Sequence, residues 1–173
     1  MNRTKIEEYT VYSILILPAV LFIFIPAHPT GSFDLALNRF IDDYLLGNGY
    51  FLPSNYPFAA KVINNFSVVL AVISGAFMGF WRRNDLVIPL PKNIRKANLI
   101  LLCLGLWAFW FSLYRQEFSI FKGRNFMATE SFHNTPHLFL ALLSSKTICI
   151  YAGLRFPITF SLYFLGKTNI KRK

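Results

Sequence analysis

The sequence predicts an all-α polytopic membrane protein: four transmembrane helices in an antiparallel bundle, with the N and C termini cytoplasmic. Three observations lead there. Of 173 residues, 54% are hydrophobic and only 15% are charged, which leaves too few polar side chains to coat a soluble globule. The apolar residues are gathered into four long stretches, each closed by charged or turn-forming residues. The Lys and Arg residues are shared unevenly between the connections.

Crossing a hydrocarbon core of about 30 Å takes roughly 20 helical residues. The expected helices cover residues 9–27, 62–81, 98–115 and 138–166 of a single membrane domain spanning 1–173. The first two stretches meet the length. The third has an apolar run from Leu99 to Tyr114 and must borrow its polar flanks by snorkelling. The fourth contains Lys146, Arg155 and Pro157, so it either projects beyond the bilayer or is broken. The first, preceded by Arg3 and Lys5, has the outline of a secretion signal. Its long apolar run, Glu7 and Glu8 beside it, and the lack of a small-x-small cleavage site favour an uncleaved anchor.

Direction follows from charge. Eleven of the 18 Lys and Arg lie in residues 1–8, in the loop 82–97 with its flank, and in the tail 167–173. Five lie in the loops 28–61 and 116–137 with their flanks, and Lys146 and Arg155 lie inside the last stretch. The positive-inside rule then makes 82–97 cytoplasmic and the two larger loops periplasmic. The same rule accounts for the net charge of +10: the charge is dispersed over juxtamembrane loops, with no aromatic-interleaved basic stripe, which argues for the lipid bilayer and against a nucleic-acid partner.

Within the loop 28–61, His28 to Ser32 is a turn. Leu37, Phe40, Ile41, Tyr44 and Leu45 then recur at helical spacing opposite Asn38, Arg39, Asp42 and Asp43. This predicts a short amphipathic helix ended by Gly47-Asn48-Gly49, lying along the membrane boundary or packed as a lid on the bundle. Ser67, Ala71, Gly75 and Gly79 stand four apart and form a helix-packing stripe of small residues, either within the bundle or toward a partner. Trp107, Phe109, Trp110, Phe111 and Tyr114 enrich one end of the third stretch, and Trp81 closes the second, as interfacial rings do. Cys103 and Cys149 fall at different depths, which argues against a disulfide or a redox pair and reads as packing.

Lys146 and Arg155 are the residues most informative about function, because a cation at the centre of a membrane helix costs about 2.5–3.5 kcal/mol unless paired or snorkelled. Nine residues, about 900° of rotation, put them on opposite faces, so one partner cannot serve both. No acidic residue lies within the four stretches. A loop carboxylate such as Asp85 or Glu117, water, lipid headgroups or another protein must answer them. His133 and His137 have metal-ligand spacing, but Pro136 intervenes and a third ligand is missing, so no metal is expected. Asn65-Phe66-Ser67 has the form of a glycosylation acceptor at the mouth of a membrane helix and is discounted. No nucleophile with its base and no phosphate-cradling loop is present, so neither an enzyme, nor a cofactor, nor a small-molecule substrate is expected.

Gly123-Arg124-Asn125-Phe126-Met127-Ala128-Thr129, Phe156-Pro157-Ile158-Thr159 ahead of a basic tail, and Leu52-Pro53-Ser54 with Pro57 and Lys61-Val62 together resemble the immunity proteins of pore-forming colicins of the A and B type. The resemblance runs over residues 50–173. It implies a plasmid-encoded protein of the bacterial inner membrane that engages the pore-forming domain of its cognate colicin before the channel opens, without catalysis or cofactor. On that likeness, Lys146, Arg155, Gly123, Arg124, Phe126, Met127 and Thr129 are the candidate toxin-binding residues. An accessory or assembly subunit of a membrane complex is the competing reading, motivated by the small-residue stripe. A membrane enzyme or transporter using Lys146, Arg155 or the two histidines is a third.

Overall fold

The computed structural model describes residues 3–46, 51–82, 93–114, 116–118 and 126–170, with the side chains of 3, 4, 126 and 166–170 outside the description. It contains α1 (Arg3–Phe24), α2 (Ser32–Tyr44), α3 (Pro57–Trp81), α4 (Ile94–Leu113), a 3₁₀ turn (Phe126–Ala128), α5 (Glu130–His133) and α6 (Pro136–Ile170). Four of these, α1, α3, α4 and α6, are long and apolar enough to cross a membrane.

The helices depart from the expected boundaries for local reasons. Hydrophobicity marks where lipid begins, whereas the backbone coils on through polar helix formers. Thus α1 starts at Arg3 rather than 9, and it stops at Phe24 rather than 27 because Pro26 disfavours helical geometry at Ile25. Pro57 and Pro136 each stand at the first position of their helix, where a fixed φ helps and the missing N–H costs nothing, so α3 begins ahead of 62 and α6 ahead of 138. α4 takes in Ile94 to Ala97, reaches 20 residues, and ends at Leu113 where Tyr114 turns extended, short of 115. The third stretch therefore has the length that its apolar core alone lacked.

Of the alternatives posed for the last stretch, a break is excluded. α6 is helical through Pro157, and its 35 residues, at about 1.5 Å each, are more than a hydrocarbon core of about 30 Å requires. Proline at 157 necessarily deprives the Gly153 carbonyl of its helical donor.

α6 is the hub. It shares its largest surfaces with α3 and α4, while α1 lies against α3 and more lightly against α6, and α4 barely touches α3. Gly75 faces Tyr151 and Leu154, and Gly79 faces Ile158 and Arg155, so α3 and α6 run side by side in the same direction. α4 runs the opposite way: Gly105 meets Gly153, and Ala108 and Phe111 flank Leu142 and Lys146. The core divides in two. Ile14, Val68, Ala71, Met78, Ala108, Ile150 and Tyr151 form one cluster. Tyr56, Ala59, Ala60, Ile63, Phe139 and Leu143 form the other, with Phe22 of α1 edge-on to Tyr56 at 5.1 Å.

The amphipathic helix exists as α2 and begins five residues before Leu37, held at its start by Asp34, whose Oδ2 accepts from the Thr30 and Gly31 N–H groups at 3.0 and 3.1 Å. Those bonds, the Thr30 amide first, hold the Asp34 carboxyl below its usual range. Asn38 and Asp42 turn to the bundle and both accept from Lys61 Nζ, at 2.9 and 2.8 Å, beside buried Ile41. Phe33, Phe40 and Tyr44 lie exposed on a second face at i, i+7 and i+11 spacing. α2 is thus both docked on the bundle and apolar on a free flank, so the two readings of it are not exclusive. Its expected terminator, Gly47 to Gly49, lies outside the described residues.

Candidate functional site

Two charged centres are buried along α6. The window from Pro136 to Leu165 has its midpoint halfway between Lys146 and Arg155, so each lies about 7 Å from the centre of the helix. Both are turned into the protein, at 8% and 9% exposure, and neither snorkels.

Arg155 is answered by Glu7, its Nη2 2.5 Å from Oε1, and the other oxygen of the same carboxylate pairs with Arg82 at the end of α3. This corrects the expectation that a loop carboxylate would be needed. Glu7 stood just outside the apolar count, yet α1 starts four residues before it, and the helix carries it between α3 and α6. Arg155 also stacks on Phe156, 4.1 Å from the ring centroid. One carboxylate thus serves two guanidiniums contributed by two other helices. Thr159 adds an interhelical bond nearby, donating to the Gly79 carbonyl at 3.0 Å.

Lys146 is held differently. Its ammonium donates to the side-chain oxygen of Asn64 on α3, a neutral acceptor. The neighbouring Asn65 is fully engaged: its Oδ1 accepts from the Leu46 N–H at 2.9 Å and its Nδ2 donates to the Lys61 carbonyl at 2.9 Å. This buried position, two turns inside α3, is incompatible with a glycan at Asn65. Asn64 Nδ2 and Ser67 Oγ, also buried, make no hydrogen bond in the described structure.

Between these centres and the loop end of the bundle lies a cap. His133 is wholly buried, its ring 4.3 Å from that of Phe51 and 5.6 Å from that of Phe118, and its Nε2 stands 2.8 Å from the Met127 carbonyl. A carbonyl accepts only, so that nitrogen carries the proton. Tyr56 donates its hydroxyl to the His133 carbonyl; burial pushes that phenol up to about 12, so it remains a donor. Asn134 completes the staple, accepting from the Asn55 N–H and donating to Ser54, both at 3.1 Å. Leu52-Pro53-Ser54 and Met127 to Thr129, two of the segments carrying the colicin-immunity resemblance, are thereby joined.

The cap is pH-sensitive in a calculable direction. Burial, opposed by the Met127 bond and reinforced by Lys146, holds His133 below its ordinary 6.5. The unfolded cap then binds a proton more readily than the folded one, so cap stability is complete above about pH 6.5 and declines as pH falls below it. Protection factors of the amides at 129–135, which are corrected for the intrinsic slowing of exchange with falling pH, should therefore fall between pH 7.5 and 5, and His133→Phe should remove most of that dependence. Unchanged protection factors would contradict it.

The remaining feature is the isolation of α4. Gly105 and Gly153 meet so closely that a Cβ built on either lies 2.7 or 2.5 Å from the other's Cα. Beyond that contact, α4 has an open cleft on each side. One, of about 190 Å³, runs toward α3 and is lined by Val72, Gly105, Leu106, Phe109, Ile150, Gly153 and Leu154. The other, of about 150 Å³, is bounded by Trp107, Ala108, Phe111, Leu142, Lys146 and Cys149. Trp107, Trp110 and Leu106 around them are largely exposed, as lipid-facing side chains are.

The candidate residues are therefore scattered. Ser67, Ala71, Gly75 and Gly79 are buried within the bundle, with Gly75 and Gly79 against α6. Lys146 and Arg155 are brought to separate centres. Met127 is exposed, while Thr129 is buried at the start of α5, 3.3 Å from the Ser131 hydroxyl. Gly123 and Arg124 lie outside the described residues, as does the Phe126 side chain. His133 and His137 belong to different helices, and no group of three metal-binding side chains occurs among the described residues. Cys103 and Cys149 are free; Cys103 faces outward rather than packing inside. Unforeseen were Glu7, Asn64, Asn134 and the Gly105–Gly153 contact. Asn64 had a signal in its being a polar residue one turn inside an apolar run; the glycine pair, on helices far apart in sequence, had none.

Searches of protein-family models, curated proteins and solved structures return no match to this chain.

Proposed function

We propose that this chain is an immunity protein of the bacterial inner membrane, termini cytoplasmic, which binds the pore-forming domain of a cognate colicin and prevents its channel from opening. The observation that carries the reading is α4, fixed to the bundle by α6 and flanked by two apolar clefts at membrane depth. Association in lipid cannot draw on expulsion of water from apolar surface; it relies on close backbone approach and a few polar contacts. A helical hairpin inserted by a toxin meets those requirements in the clefts. The resemblance at Gly123 to Thr129 and at Phe156 to Thr159 names the class of toxin.

The structure also gives parts of the resembling segments a conformational task. Ile158 covers Gly79 and Thr159 bonds to its carbonyl, while Ser54 holds the cap through Asn134. With the packed parts doing structural duty, specificity falls to exposed Met127 and the loop preceding it.

Cells expressing the chain are expected to survive one member of a panel of A- and B-type pore-forming colicins and to be killed by unrelated toxins. Replacing residues 115–137 with the corresponding loop of a related immunity protein should transfer the protection. Killing by every member of the panel would refute the proposal.

A further inference from the structure

α2 keeps its largest side chains out of its contact with the bundle. At about 100° per residue, Phe33, Phe40 and Tyr44 fall within about 40° of one another on the helix, while Asn38 and Asp42, which accept from Lys61, lie about 140–180° away. Arg39 and Asp43 occupy the remaining sector, about 80–120° to the other side, and are exposed. α2 thus has three sides: one bound to α3, one charged and one aromatic. The aromatic side is continuous. Phe33 and Tyr44 are each 75% exposed and Phe40 is 49% exposed, with the Phe40 and Tyr44 rings 5.4 Å apart. Rings of that size gathered on one face mark a contact surface.

What covers it follows from depth. Lys61 stands about 30 Å from Trp81 along α3, at about 1.5 Å per residue, and a hydrocarbon core is about 30 Å thick. With Trp81 at one membrane boundary, Lys61 marks the other. The bonds to α2 are made at this level: Lys61 Nζ donates to Asn38 and Asp42, and Asn65, one turn further in, accepts from the Leu46 N–H. Ahead of α2, the Ala27 carbonyl accepts from the Phe58 N–H at 3.0 Å, so the chain leaves α1 at the level where α3 begins. The approach to α2 and its C-terminal end are therefore both tied at the boundary, and its free face meets lipid beside the bundle.

We infer that the Phe33, Phe40 and Tyr44 face of α2 is a lipid-binding surface, its rings seated at the boundary of acyl chains and headgroups in the bilayer that α3 crosses. The chemistry fits that depth: two apolar rings, and a phenol whose hydroxyl reaches the wet layer. Attraction to anionic headgroups has no part in it. α2 carries Asp34, Asp42 and Asp43 against Arg39, so its apolar face alone must hold it and zwitterionic lipid suffices. Seating this face fixes, through Lys61 and Asn65, the level at which α3 stands in the membrane.

The inference holds whatever partner the bundle takes, and its test contains no toxin. Phe33→Cys, Arg39→Cys, Phe40→Cys, Asp43→Cys and Tyr44→Cys are made singly in the full chain after Cys103→Ala and Cys149→Ala. Each is spin-labelled and reconstituted into phosphatidylcholine nanodiscs. Collision rates are read with oxygen, which concentrates in lipid, and with a water-soluble nickel chelate. The oxygen-to-nickel ratio at positions 33, 40 and 44 should exceed that at 39 and 43 by about tenfold. Equal ratios at all five put α2 in water as a lid and overturn the inference. Shielding of 33, 40 and 44 from both reagents shows protein over the face and overturns it too; spectral broadening that falls on dilution with unlabelled chain then identifies a second copy. Should the cysteine variants fail to insert, hydroxyl-radical oxidation of the unsubstituted protein in the same nanodiscs decides. Relative to the free amino acids, Phe33 and Tyr44 should react about tenfold more slowly than exposed Met127, and equal rates overturn the inference.

Discussion

Glu7→Gln is expected to destabilise the bundle by about 3 kcal/mol, the lower end of the usual cost of removing one partner from a buried ion pair, here the carboxylate that Arg155 faces. The effect is large because Glu7 pairs with both Arg155 and Arg82, all three side chains are under one-fifth exposed, and glutamine returns one acceptor without its charge. α1 should suffer most. It is the most exposed of the four long helices, and the Glu7 network ties its first turns to both α3 and α6. Denaturant titration in detergent micelles measures the loss, with Glu8→Gln as the control, since Glu8 is exposed one residue away. Equal stability of the two variants would contradict the assignment. Adding Arg155→Met to Glu7→Gln should restore part of the loss, because the stranded charge goes with it.

Gly153→Ala is the second. A Cβ there would lie 2.5 Å from the Gly105 Cα and 2.7 Å from the Leu101 carbonyl oxygen, and backbone on both sides cannot rotate aside. α4 must move off α6, which costs about 3 kcal/mol, the upper end of ordinary overpacking. No other helix restrains α4 to the same extent, so both clefts should lose their shape and protection should fail with stability. Gly31→Ala is the matched control: its Cβ would meet nothing closer than 3.9 Å and its backbone is extended, so it should be near neutral in the same titration.

Much of this architecture was legible in the sequence, and what was not has definite physical causes. Lipid imposes a length and a polarity on each crossing, so four apolar runs announced four helices and the 28–61 periodicity announced α2. Boundaries escaped because hydropathy registers the lipid, not the helix: the polar turn that brings Glu7 to Arg155 is as helical as the residues after it. Lys146 and Arg155 were recognisable as costly from burial energetics alone. Their partners were not, since Asn64 and Glu7 reach them through tertiary packing that no local pattern encodes. The stripe at Ser67 to Gly79 could be read because four contributing residues share one helix face. Gly105 and Gly153 each look incidental and acquire meaning only against the other. His133 and His137 show the converse, a spacing with apparent meaning that Pro136 removes by beginning a new helix.

Channel conductance in planar bilayers containing the purified protein tests the central claim most directly. With the cognate colicin added on the side of the 28–61 and 116–137 loops, macroscopic current should fall in proportion to the amount of protein incorporated, while an unrelated pore-former conducts undiminished. Undiminished current from every A- and B-type colicin, at a molar excess of correctly oriented protein, would contradict it.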